Sequence, residues 1–204
     1  MTMESLDPRI NRLKSKGEWD DEISKKALDQ FETYEVFLQM RDSRPFEHVG
    51  IMHAPNEEMA LIFGKEQYSR RYTCTGIFVV RTDNVKSTKY SENEENIYDL
   101  MDLHGTTEGE DSFEIFHLKK RGKQHTHMGS VQAGDYEGAL SVAANTYNTG
   151  NPVYNVWVVK TQDILSIPVE DRIIWETLPE KKFRDAIAYK AGDKIKEFKE
   201  RNLS

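Results

Sequence analysis

"YEVFLQMRDSRPFEHVGIMHAPNEEMALIFGKEQYSRRYTCTGIFVVRTDNV", residues 34–85, lies without a gap on "FEIFHLKKRGKQHTHMGSVQAGDYEGALSVAANTYNTGNPVYNVWVVKTQDI", residues 113–164, when the chain is slid by 79 positions. Twelve aligned pairs are identical: Glu35/Glu114, Phe37/Phe116, His48/His127, Gly50/Gly129, Ala54/Ala133, Glu58/Glu137, Ala60/Ala139, Leu61/Leu140, Tyr68/Tyr147, Val79/Val158, Val80/Val159 and Thr82/Thr161. Roughly three would match by chance from average residue usage. Conservative pairs such as Tyr34/Phe113, Val36/Ile115 and Phe78/Trp157 add to the signal. The chain therefore holds two copies of one module, and every residue inside them has to be read against its twin.

Each copy has the same order of elements. "TYEVFLQM" or "SFEIFHL" runs apolar with aromatic and β-branched residues, and a polar break leads into "EHVGIMHA" or "THMGSVQA", which predicts a hairpin. Asn56 or Asp135 then caps a helix with acidic residues in its first turn, where they meet the positive end of the helix dipole. "GIFVV" or "NVWVV" follows as a continuous apolar run of strand length, suited to a strand covered on both faces. Each module is thus β-β-α-β. A right-handed crossover places its third strand beside the first, giving the order 2-1-3 with the helix on one face. The fold class is α+β: two tandem, mainly antiparallel three-stranded sheets, each with one helix. So small a unit buries little surface alone, so the two are expected to pack as a pseudo-two-fold dimer.

Around the modules (34–85 and 113–164) lie an N-terminal helical arm (1–33), an acidic linker (86–112) and a C-terminal arm (165–204). Residues 91–111 hold eight acids and no Lys or Arg, and without them the formal net charge of -7 becomes +1. The remainder is nearly balanced, which argues against a nucleic-acid footprint. The linker reads as a solvated connector with at most one short docked turn, anchored by Ile97, Tyr98, Leu100, Met101 and Leu103. No apolar run approaches membrane-spanning length. The start lacks the apolar middle of a secretory signal, and Cys74 is the only cysteine. A cytoplasmic protein without disulfides is expected.

Candidate chemistry is sparse. His125 and His127, two apart, would share a strand face, and His117 on the partner strand could join them around a metal ion. In the first copy these positions are Phe46, His48 and Leu38, so a duplicated metal site is disfavoured against structural histidines. Glu114 and His117 have Glu-x-x-His spacing, but on a strand they point to opposite sides. No phosphate loop, nucleophile elbow or dinucleotide fingerprint occurs. Cys74 aligns with Val153 and reads as a small buried residue.

"RGKQHTHMGSVQAGDYEGAL" (121–140) followed by "VWVVK" (156–160) closely resembles the phenylacetate-degradation protein B (PaaB) family, the small B subunit of a phenylacetyl-CoA ring epoxidase. The first copy carries "YEVF", "HVG", "EEMAL" and "YSRR", and Lys182, Phe183, Arg184, Tyr189, Asp193 and Ile195 resemble the family's ending. Two departures stand out: the family is usually one copy per chain, and "DSRP" replaces the "RGK" turn in the first copy. The resemblance implies a non-catalytic bridging subunit without cofactor or metal of its own. Its implied partners are the di-iron catalytic and structural subunits of an oxygenase complex acting in aromatic degradation. Under that reading the contact candidates are Arg70, Arg71, Arg121, Lys123, His127, Trp157 and Lys160, and self-association of the fused chain stays open.

Two other readings stand beside it. A stand-alone enzyme or small-ligand protein would use an inter-module cleft, with Glu35, Glu114, His48 and His127 as acid–base candidates. A metal-binding module would use His117, His125 and His127.

Overall fold

A computed structural model describes residues 4–7, 30–69, 74–91, 95–175 and 191–202. The expected helical arm around 18–31 and the anchors Phe183, Ile187 and Tyr189 lie outside the described residues.

The first copy contains β2 (Glu32–Gln39), β3 (Glu47–Ala54), α1 (Glu57–Tyr68) and β4 (Gly76–Arg81). The second contains β6 (Asp111–Leu118), β7 (Thr126–Ala133), α2 (Tyr136–Tyr147) and β8 (Asn155–Lys160). In both, the first strand lies between the other two and is antiparallel to each, the 2-1-3 order that the sequence predicts. The caps are as predicted too. Asn56 Oδ1 accepts from the backbone N–H of Met59 at 2.9 Å, and Asp135 Oδ1 from that of Gly138 at 2.7 Å.

Alternation along the central strands divides the protein into layers. Tyr34, Val36 and Leu38 pack with Ile77, Val79 and Ala60 under α1, and Phe113 and Ile115 pack with Val156, Val158, Ala139 and Leu140 under α2. The intervening residues Phe37 and Phe116 point to the opposite face, where they join Val80, Val85, Trp157 and Val159 in a third core drawn from both copies. Being covered on both faces explains why these strands read as continuous apolar runs. The repeated glycines and tyrosines explain one another: Tyr68 Oη donates to Ile51 O at 2.6 Å and Tyr147 Oη to Ser130 O at 3.0 Å. Each ring hydroxyl lies where a Cβ on Gly50 or Gly129 would stand, and both glycines have positive φ, 146° and 138°.

The two copies do not form separate three-stranded sheets. They join edge to edge in one sheet, nine-stranded among the described residues; with β1 (Glu4–Ser5), β5 (Lys86–Ser87) and β9 (Ile164–Ser166) its order is β1-β5-β8-β6-β7-β3-β2-β4-β9. At the seam His48 N–H donates to His125 O at 2.9 Å and His127 N–H to Phe46 O at 2.8 Å; the 79-residue shift turns each bond into the other. The short strand β5 (Lys86–Ser87), following the first copy, pairs with β8 of the second, and β9 (Ile164–Ser166), following the second, pairs with β4 of the first. β1 (Glu4–Ser5) pairs with β5.

This order requires curvature. β4 and β5 are six strand steps apart, roughly 29 Å in a flat sheet at ~4.8 Å per step. The five residues from Arg81 to Lys86 span at most roughly 18 Å. The sheet must therefore curl, bringing β4 and β8 together around the shared aromatic core.

The linker departs from a solvated connector. Ile97 and Tyr98 are buried in a short 3-10 turn (Ile97–Leu100) against the second copy, and Ile97 N–H donates to Val153 O at 2.8 Å. Further on, the backbone N–H of Thr106 donates to the Asp135 carboxylate, and Gly134 N–H donates to Thr106 O. Short apolar anchors in an acidic stretch suffice because the groove beneath them is already apolar. Among the described residues, no helix is long and apolar enough to cross a membrane.

Candidate functional site

Three of the twelve identical pairs meet in space. In the first copy His48 Nε2 donates to Glu35 Oε2 at 2.7 Å, and Thr82 Oγ1 donates to Glu35 Oε1 at 3.0 Å. In the second, His127 Nε2 donates to Glu114 Oε2 at 2.6 Å, and Thr161 Oγ1 donates to Glu114 Oε1 at 2.9 Å. The glutamates come from the middle of the central strands, the histidines from the hairpin partners, and the threonines from the 3-10 turns just after β4 and β8. Glu35 and Glu114 are 3% and 7% exposed. A buried carboxylate needs hydrogen-bond donors, and each copy supplies them.

The copies differ at one contact. Ser130 Oγ adds a third side-chain donor to Glu114 at 3.0 Å, where the first copy has Ile51. Burial alone would push the Glu114 carboxyl up, but the His127 hydrogen bond and charge, with Thr161 and Ser130, outweigh it and hold it below the ordinary range.

Each histidine also faces the other copy. The His48 ring meets Trp157 edge-on with centroids 5.0 Å apart, and His127 meets Phe46 and Phe78 at 6.1 and 5.8 Å. Behind them Phe46 stacks on Phe78 at 3.6 Å, and at the equivalent place His125 stacks on Trp157 at 3.8 Å. The triads thus flank the shared core and are part of what joins the halves.

The three histidines considered as metal ligands are directed to different partners. His127 belongs to Glu114. His125 Nε2 donates to Asn155 Oδ1 at 2.7 Å, because the Asn155 amide nitrogen is already committed to Thr88 O, Thr88 Oγ1 and Ser87 Oγ. His117 lies on the α2 side and shares a 2.7 Å hydrogen bond with the Tyr98 hydroxyl. Burial holds the His117 ring down to about 4, helped by Lys119 and His125. Burial also holds His125 down to about 4, against the opposing Asn155 bond. Among the described residues no group of three or more His, Cys, Asp or Glu side chains could hold a metal ion.

The acid–base candidates form two separate pairs rather than one cleft. A cavity of about 370 Å³ touches the first pair only, lined by Leu6, Asp7, Gln30, Thr33, Glu35, Ile51 and Thr82. Neither histidine lines it. Cys74 is buried and its thiol is pushed up to about 11 by burial, consistent with a packing role.

The contact candidates divide by exposure. Arg121 Nη2 donates to Ser91 O at 2.8 Å and its guanidinium sits 5.2 Å from the centre of the Tyr154 ring, fastening the linker to the second copy. Lys123 is exposed. Lys160 Nζ donates to Asp111 Oδ2 at 2.7 Å. Trp157, 4% exposed, lies in the shared core, and His127, half-buried, is held by Glu114 with its ring against Phe46, Phe78 and Phe116. Arg70 and Arg71 lie outside the described residues.

Sequence reasoning pairs Thr82 with Thr161 but gives them no role, passes over Asn155, and sees in Tyr98 an anchor rather than a partner of His117. The available signal is the common spacing of Glu, His and Thr in both copies, 35-48-82 and 114-127-161.

Residues 30–102 and 111–196 each match the model of a family described as Phenylacetic acid degradation B. Among curated proteins, the B subunit of the 1,2-phenylacetyl-CoA epoxidase of Escherichia coli (strain K12) is 35% identical over 60 residues, covering 29% of this chain and 63% of that protein. No solved structure matches the chain.

Proposed function

The chain belongs to the phenylacetic acid degradation B family, and we propose that it is a non-catalytic bridging subunit of a multicomponent phenylacetyl-CoA epoxidase in aerobic aromatic degradation. In this reading its two halves form a fused pseudo-two-fold dimer that holds di-iron catalytic and structural subunits in symmetric positions in the cytoplasm. The observation that carries the reading is the twinning itself: the same Glu–His–Thr set stands in both halves, and the seam bonds are reciprocal.

Chemistry supports the bridging role over catalysis. A general base needs a substrate proton within hydrogen-bond reach. Here each carboxylate already accepts from its own histidine and threonine, and each imidazole donates to its glutamate while it packs T-shaped with an aromatic ring of the other half. These groups hold a shape. Fusion also removes the entropic cost of pairing separate chains, and it gives the assembly two unequal faces. Arg121, Lys123 and Lys160 are the described basic residues assigned to partner contact, with Arg70 and Arg71.

The test is capture of partners by tagged protein from cells grown on phenylacetate. Recovery of helical oxygenase subunits in fixed ratio supports the reading, and their absence sinks it. A second reading, a small-ligand protein, is favoured only by the cavity beside Glu35; it requires a ligand retained by the isolated chain.

A further inference from the structure

An apolar groove of about 660 Å³ runs between α1 and the segment that begins with β9, lined by Leu61, Ile62, Ile167 and Ile173 among others. Among the described residues, its charged lining is Glu58 and Asp171, both acidic. Ile62 and Ile173 are 45% and 69% exposed, a cost in water that a docked apolar surface would relieve.

The same chain carries a helix of matching character. α3 (Ala191–Asn202) is exposed throughout residues 192–201. Ile195 and Phe198, three apart and therefore on one face, are 55% and 67% exposed. On a helix of 3.6 residues per turn, Lys194 and Lys199 border that face, while Asp193, Glu197 and Glu200 fall on the opposite side. An apolar ridge bordered by lysines complements an apolar groove bordered by carboxylates, in the helix-in-groove mode of recognition.

Ile62 and Ile173 of the groove and Ile195 and Phe198 of the ridge all stay exposed. We propose that the groove receives α3 of a second copy, with Ile195 and Phe198 on the isoleucines and Lys199 near Glu58 or Asp171. Mutual exchange of two such helices closes on a two-fold axis and satisfies four surfaces at once, whereas one-way exchange would propagate. The inference does not depend on the epoxidase reading, since it concerns copies of this chain alone.

Sedimentation equilibrium of the full chain decides it. A dimer is expected, with a dissociation constant raised at least roughly tenfold by Phe198→Asp on the helix and equally by Ile62→Asp in the groove. Lys199→Glu should weaken pairing and Glu58→Lys with Asp171→Lys should restore it. A monomer at every concentration, or a dimer indifferent to both apolar variants, overturns the proposal. The occupant is tested by cross-linking: Ile62→Cys and Phe198→Cys on separate chains should form a disulfide when mixed. A chain carrying both that closes only on itself shows an intrachain helix and overturns it too.

Discussion

His127 Nε2 lies 2.6 Å from Glu114 Oε2 across the β6–β7 pair, on the face that meets the other half of the chain. Their twins His48 and Glu35 stand 2.7 Å apart, so one polar contact is used twice to fix the orientation of a ring that touches the opposite copy.

Glu114→Gln should destabilise the fold by roughly 1.5–3 kcal/mol at pH 7, the range for losing a hydrogen bond to a charged group in a buried site. Because the folded-state carboxyl is held low, its contribution is present above the unfolded carboxylate range near ~4.3 and is lost as pH falls through the lower folded value. Urea unfolding across pH 3–7 should therefore show a shallower acid slope in the variant. Parallel slopes would mean that Glu114 gains nothing from its donors.

His117 and His125 act in the opposite chemical sense but in the same direction. Both are held neutral down to about 4, whereas an unfolded histidine takes its proton near ~6.5. The unfolded state thus binds more protons between these limits, and stability falls as pH drops from about 6.5 towards 4. Each ring should account for a loss on the order of 2 kcal/mol between pH 7.5 and pH 5. His117→Leu with Tyr98→Phe, which removes both partners of the buried bond, should cut that loss by about half; an unchanged pH dependence would refute the assignment.

Gly129→Ala meets two obstacles, the φ of 138° and the Tyr147 hydroxyl. A cost of about 2 kcal/mol or more is expected, against about 1 kcal/mol for Tyr147→Phe, which loses only a hydrogen bond. In Gly129→Ala with Tyr147→Ala the costs should sum to less than the two single losses. Strict additivity in denaturant titrations would remove the collision from the account.

Asn155 is fully buried and joins His125 on one side to Thr88 and Ser87 on the other. Asn155→Leu strands those groups and should cost about 3 kcal/mol or more. It should also release β5 from β8, read as faster amide exchange at Thr88 and Val156, which exchange backbone and side-chain bonds there. Exchange rates unchanged from wild type would show that backbone pairing alone holds the strand.

Some of the site is legible in the chain. Glu35/Glu114, His48/His127 and Thr82/Thr161 stand out as identities once the two copies are laid together. That Glu114 and His117 oppose each other follows from strand periodicity, and the structure places them on opposite faces. What cannot be read is the meeting of the three residues, because 13 and 34 positions separate them in each copy and only the hairpin and the turn after the third strand close that gap. The burial of Trp157 escapes the sequence for the same reason: a strand residue's two faces are distinguishable by period, but which face meets the other copy is not.

By itself the sequence determined what is local or repeated. Caps at Asn56 and Asp135, apolar runs of strand length, the element order and its duplication all depend on neighbours along the chain or on direct comparison of the copies. Only the tertiary structure decided that the two halves share one curled sheet, that β5 and β9 cross to the opposite half, and that Tyr98 of the acidic linker meets His117. Strand pairing is made by backbone N–H and C=O groups that every residue carries, so which edges join leaves no mark in side-chain composition and is settled by chain reach, curvature and the burial of the shared aromatic core.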